Sequence, residues 1–171
     1  MWGAFWLQSR ANTSANARMF RNPTDFAATY GAEIDIVEAV SKHRPNNARD
    51  FLDYKDRLIS NVHWNGYTKG SGPEHKRAAL GIDEQKKKRQ SSLHNQWHTY
   101  GLLWTEGAYE IYIDNTLMGM FDKGISHHPE YLRLTTQVDG GRFAGEIPDS
   151  EYRSGRTRMQ VDWVRWWQRP Q

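Results

Sequence analysis

The sequence predicts an all-β domain, a sandwich or jelly roll of antiparallel strands, and three observations carry that reading. Alternating apolar and polar residues recur in short runs rich in β-branched and aromatic side chains. Gly, Asn, Asp or Pro punctuates the ends of those runs. No window sustains a 3.6-residue apolar period, and the best helical candidates, Pro23–Tyr30 and Asn47–Tyr54, are short. With 171 residues and 20.0 kDa, the chain is one domain's worth, long enough to enclose a core.

The elements follow in order. The chain opens as if inside a strand, with "MWGAFWLQSR", and this gives way to a long segment, Arg10–Thr29. "AEIDIVEAV", "LISNVHW", "HTYGLLW", "AYEIYIDNTLMGMF", "YLRLTTQV" and "MQVDWVRWWQ" then read as strands. Ile113 to Thr116, "IDNT", reads as a tight hairpin turn in which Asn115 adopts the left-handed conformation. The polar stretch Lys69–Ser92 is a second long loop, and its basic run Lys86–Arg89 reads as solvated charge. Neither an internal repeat nor an interdomain linker interrupts the chain, so residues 1–171 form a single domain.

Composition narrows the function. The chain has no cysteine, which excludes disulfides and thiolate metal sites. No apolar run approaches the ~20 residues of a membrane span, and the first ten residues lack the charge and apolar core of a signal peptide. Net charge is +3 with a pI near 9.2, but no basic face with interleaved aromatics suggests nucleic-acid binding. Eight Trp, eight Tyr and six Phe make up 13% of the chain, more than a core of this size requires. Indole rings stack on the C–H faces of sugars, so a carbohydrate surface is expected. At least half of the tryptophans are expected in the core, with Trp104 and Trp97 as candidates and Trp104 the stronger. Trp163, Trp166 and Trp167 are expected to divide between the two faces of a terminal strand.

The chemistry is concentrated in "GAEIDIVEAV", Gly31 to Val40. Side chains alternate across a strand, so Glu33 and Asp35 share one face while Ile34 and Ile36 take the other. Strict alternation would turn Glu38 away. A β-bulge at Ile36–Val37 adds one residue and returns Glu38 to the acidic face. Three carboxylates on one half-buried face repel, so at least one should hold its proton at neutral pH. One ionised and one protonated carboxyl are the equipment for cleaving a glycosidic bond, with either glutamate able to take either part. The backbone span from Glu33 to Glu38, on the order of 13 Å, requires the two side chains to lean together across Asp35 for a retaining pair. Alone, the motif is as consistent with a solubilising edge strand.

The segments "GAFWLQS", "GAEIDIVEAV", "NVHWNGY", "WHTYGLLWTEGAYEIYIDN", "HHPEYLRLTTQV" and "MQVDWVRWWQ" occur in the order and spacing of glycoside hydrolase family 16, which the chain resembles from Trp2 to Gln168. The resemblance implies a concanavalin-like β-jelly roll of two antiparallel sheets. It also implies a retaining endo-glycosidase acting by double displacement on β-1,3- or mixed-linkage glucan, with agar- or carrageenan-type galactan as the other candidate. By the same match Glu33 is the nucleophile, Glu38 the general acid/base and Asp35 their assistant. Trp6, His63, Trp64, Gln137 and Phe143 fall at expected substrate-binding positions, Phe143 where many relatives carry Trp. Asp162 matches a ligand of a structural calcium, and catalysis requires no cofactor.

The resemblance further implies strands ahead of the "AFW" segment, so the expectation is an N-terminally truncated, monomeric sandwich whose unpaired edges invite association. An extracellular or periplasmic site of action is expected with it, and neither a nucleic-acid nor a membrane partner. The competing readings are a non-catalytic carbohydrate-binding protein and an inactive remnant of such an enzyme.

Overall fold

The computed structural model describes residues 2–19, 26–40, 42–43, 52–53, 58–67, 78–80, 93, 95–137, 149–155 and 158–168. Ten strands form along them: β1 (Trp2–Gln8), β2 (Glu33–Val40), β3 (Lys42–His43), β4 (Leu52–Asp53), β5 (Leu58–His63), β6 (Ala78–Leu80), β7 (Tyr100–Trp104), β8 (Tyr109–Ile113), β9 (Thr116–Phe121) and β10 (Tyr131–Gln137). Three short helices, α1 (Ser14–Met19), α2 (Phe26–Tyr30) and α3 (Asp149–Arg153), and a 3₁₀ turn, Asn65–Tyr67, complete the described elements.

Two antiparallel sheets make the body. The larger runs β10-β1-β2-β5-β6, the smaller β7-β8-β9, and β3 and β4 pair as a small hairpin. Between the sheets, Leu7, Ile34, Ile36, Val37 and Val62 meet Tyr109, Ile111, Ile113 and Phe121 in one apolar cluster. Fully burying side chains of this size contributes about 1.5–3 kcal/mol each, so the reverse face of β2 anchors the strand that carries the acids. The expected two-sheet, all-β architecture is what the chain adopts.

The β8–β9 hairpin also turns as its sequence demands. Asp114 and Asn115 both hold positive φ, 45° and 63°, as a two-residue turn of this hand requires. The Asp114 carboxylate accepts from the Thr99 amide at 2.8 Å and meets His98 Nδ1 at 2.9 Å.

Four expectations need correction. The segment Arg10–Thr29 holds helix α1 as well as the start of α2, because Thr13 Oγ1 caps the amide of Asn16. In the helical candidate Asn47–Tyr54, residues 52–53 belong to a strand, and its other residues lie outside those described. Trp97, considered for the core, is exposed; Trp104 does pack against it, its indole donating to the Ser126 carbonyl. Residues 158–168 form no strand among the described residues, and Trp163, Trp166 and Trp167 are 48%, 59% and 76% exposed. Alternation buries a face only where a neighbouring strand supplies the ladder, and none of the described strands pairs with this segment. The Lys86–Arg89 run lies outside the described residues.

Candidate active site

The site is built on β2 and begins two residues before it. Gly31 enters the strand at φ +80°, a conformation open to glycine, and a Cβ there would sit 2.3 Å from that of Ser9. Strand β2 then pairs with β1 through Gln8↔Glu33 and Trp6↔Asp35, but with Phe5↔Val37 and Ala4↔Glu38. Against β5 the register likewise slips between Asp35↔Asn61 and Glu38↔Ile59. Both slips leave one extra residue in β2 at Ile36–Val37, the bulge that the acid spacing requires. It is pinned from below by the buried Ser60, whose Oγ donates to the Ile36 carbonyl at 2.7 Å. Replacing Ser60 with alanine leaves that carbonyl short of a donor. A loss of about 1–3 kcal/mol is expected in a urea melt, and an unchanged midpoint would show the bulge to be self-supporting.

On the acid face stand Glu33, Asp35 and Glu38 from β2, with Gln8 and Trp6 from β1, Asn61 and His63 from β5, and Tyr131 and Arg133 from β10. The backbone register places them there and their mutual contacts confirm it. Asp35 and Glu38 are each only 6% exposed. His63 Nε2 lies 3.2 Å from Asp35 Oδ2, and one polar atom each of Glu33, Asp35 and His63 falls within 4.8 Å of the others.

The two glutamates occupy different surroundings. Glu33 Oε2 accepts from the Tyr67 hydroxyl at 2.7 Å and from Gln8 Nε2 at 3.3 Å. Gln8 is itself held from the other side by Tyr131 and Arg133, which both donate to its Oε1. Among the described residues Glu38 receives one donor, Asn61 Nδ2, at 2.6 Å on Oε2. Burial, followed by the charge of Asp35, raises the proton affinity of both carboxyls. For Glu38 the result is a pKa of about 8. Glu33 is raised too, but the Tyr67 hydrogen bond, His63 and Arg133 pull it back. At His63, burial works against the charged form, yet the Asp35 hydrogen bond and the charges of Asp35, Glu33 and Glu38 outweigh it and raise the pKa.

Tyr67 reaches Glu33 from an unusual backbone. Asn65, Gly66 and Tyr67 all hold positive φ, near 60°, and a Cβ at Gly66 would lie 2.1 Å from the Thr13 carbonyl oxygen. Asn12 clamps the turn, accepting from the Gly66 amide and donating to the His63 carbonyl. A left-handed tyrosine is costly and persists where its surroundings over-determine it. Here it directs the phenol onto a carboxylate. Since a donor favours the ionised form, Tyr67→Phe should raise the Glu33 pKa further. The acid limb of a pH–rate profile should then move to higher pH; a limb that stays put would exclude Tyr67 from this role.

The remaining expected site residues fare unequally. Trp6 lies on the acid face, but its indole donates to Thr135 Oγ1 and Arg133 stacks over its ring at 4.3 Å, so that face of the ring is covered. His63 joins the site, its Nε2 beside Asp35 and its strand position opposite Glu33. Trp64 is a correction: it is buried in the apolar cluster, its ring packed onto Gly124, because the residue after His63 turns to the other side. Gln137 ends β10 opposite Trp2, exposed and away from Glu33. Phe143 lies outside the described residues. Asp162 is exposed and belongs to no cluster of three acidic or histidine ligands among the described residues. The sequence alone does not single out Gln8, Asn61, Tyr67, Tyr131 or Arg133. Asn61 shares the period-two face of His63, which is the one signal that points to any of them.

The family model "Glycosyl hydrolases family 16" matches residues 1–165, and the chain belongs to that family. No curated protein matches it in sequence. Among solved structures, LamAcat from Zobellia galactanivorans is 20% identical with a TM-score of 0.47 over 88% of this chain and 53% of that one. A family 16 protein of the Bacteroides ovatus mixed linkage glucan system, in complex with its G4G4G3G product, is 24% identical with a TM-score of 0.41 over 71% and 40%. The catalytic domain of an endo-1,3-beta-glucanase (laminarinase) from Thermotoga petrophila is 20% identical with a TM-score of 0.39 over 71% and 36%. The chain thus spans about half, or less, of the length of these structures.

Proposed function

We propose that the chain is a retaining endo-glycosidase that cleaves internal β-linkages of a polysaccharide by double displacement. β-1,3- or mixed-linkage glucan is the favoured substrate and a galactan the alternative. The observation that carries this reading is the unlike environment of two glutamates on one strand face. Glu38, with a pKa of about 8, is protonated at neutral pH and suited to give its proton to a departing glycosidic oxygen. Glu33, with two donors on one oxygen, is suited to attack the anomeric carbon as a carboxylate. In the second step Glu38, now ionised, takes a proton from the water that releases the sugar.

Asp35 separates the two and holds His63, so its charge raises both glutamates while the imidazole offsets it. The reading brings with it an extracellular or periplasmic site of action, where such polymers are met. The test is a panel of laminarin, lichenan, agarose and carrageenan, scored by reducing ends and by product anomer. Release of the β-anomer first from a β-linked polymer is expected; binding without release would favour the carbohydrate-binding alternative.

A further inference from the structure

Asn61 is the one polar side chain that hydrogen-bonds Glu38 among the described residues. It is 4% exposed, so its hydrogen bonds are made inside the protein. Its Nδ2 donates to Glu38 Oε2, while its buried Oδ1 has no hydrogen-bond partner among the described residues. Glu38 Oε1, by contrast, hydrogen-bonds to no described residue and is not sealed from solvent. A carboxylic acid has one hydroxyl and one carbonyl oxygen, and an N–H pointed at Oε2 makes that oxygen the carbonyl.

We infer that Asn61 is a positioning residue that assigns the acid proton of Glu38 to Oε1, the oxygen open to substrate. The inference rests on the proposed role of Glu38. During glycosylation the Glu33 carboxylate bonds the anomeric carbon as the glycosidic C–O bond breaks, its electron pair leaves with the glycosidic oxygen, and the proton passes from Oε1 to that oxygen. The carboxylate left behind keeps the Asn61 N–H on Oε2, now a charge-assisted bond. During deglycosylation Oε1 takes a proton from water as the water oxygen bonds the anomeric carbon. The bond from that carbon to Glu33 breaks, its electron pair returning to the Glu33 carboxylate, and the starting state is restored. The other charged or titratable groups acting on Glu38 are Asp35 and Glu33 on its own strand and His63 on β5. The Ala4 and Ile59 positions paired with it contribute none.

Asn61→Leu removes the donor at similar volume, and Asn61→Asp removes it at the same shape. Both should lower kcat/KM on laminarin by at least ~10-fold, where the leaving oxygen needs a proton. On dinitrophenyl β-laminaribioside, whose leaving group needs none, the loss should be under about two-fold. Independently of turnover, the carboxyl carbon-13 resonance of Glu38 should titrate at higher pH in Asn61→Leu, because a donor that favours the carboxylate is gone. Equal losses on the two substrates would mark Asn61 as merely structural. A Glu38 titration that stays put or falls would mean that Oδ1, not Nδ2, faces the carboxyl, and would overturn the assignment. If the unmodified chain hydrolyses neither substrate, the hydrolase reading fails, and the titration alone still decides on Asn61.

Discussion

Glu33→Gln is expected to abolish hydrolysis, lowering kcat by roughly 10⁴-fold or more, while leaving glycan binding and the fold intact. An amide cannot serve as the departing carboxylate of a glycosyl-enzyme, yet its oxygen can still accept from Tyr67 and Gln8 on the same side. Melting temperature should therefore change little. The decisive measurement pairs reducing-end release with affinity electrophoresis in the same gel-bound glycan. A variant that binds and no longer cleaves supports the nucleophile; one that cleaves at the parental rate would falsify the role.

Glu38→Gln should separate two consequences of one buried acid. Hydrolysis should fall by about 10²–10⁴-fold, the usual contribution of a positioned general acid. In the unmodified chain, activity should decline as pH rises through about 8, where Glu38 loses the proton it must donate. Stability should decline with rising pH as well, but from a lower starting point. The folded-state pKa lies above the ordinary value of 4.5, so the contribution of Glu38 is fully present below pH 4.5 and is lost as pH climbs through about 8. Over that window the loss is on the order of 5 kcal/mol, by the conversion of pKa shift to free energy. Glutamine does not titrate and can still accept from Asn61, so the variant should gain on the parent progressively from about pH 5 to about pH 8.5. A melting-temperature difference that is the same at both ends of that range would mean that Glu38 is not the buried proton.

Most of the acid-bearing strand is legible in its own ten residues. Two isoleucines set two residues apart, with acids between and beyond them, imply one apolar and one acidic face, and only an extra residue at Ile36–Val37 can put Glu38 on the latter. The hairpin at Asp114–Asn115 is legible for a similar reason, since short-range turn chemistry is written in adjacent residues. Partners across strands are not. Gln8 reaches Glu33, and Arg133 reaches Gln8, across sequence separations of 25 and 125 residues. Tyr67 reaches Glu33 because three consecutive left-handed residues bend the chain back, which its neighbours Asn65 and Gly66 permit but do not dictate.

The tryptophans divide along the same line. Composition announces an aromatic surface, and the pairing of strands decides where each ring goes. Trp64 enters the core, Trp6 is covered by Arg133, and Trp163, Trp166 and Trp167 stay in solvent for want of a described partner strand. Periodicity within one segment determines the all-β class, the bulge and the shared face of the three acids, because those depend on steps of a single backbone. The unlike proton affinities of Glu33 and Glu38 depend on burial and on donors brought from β1, β5 and the turn after it. Only the folded sheet decides them.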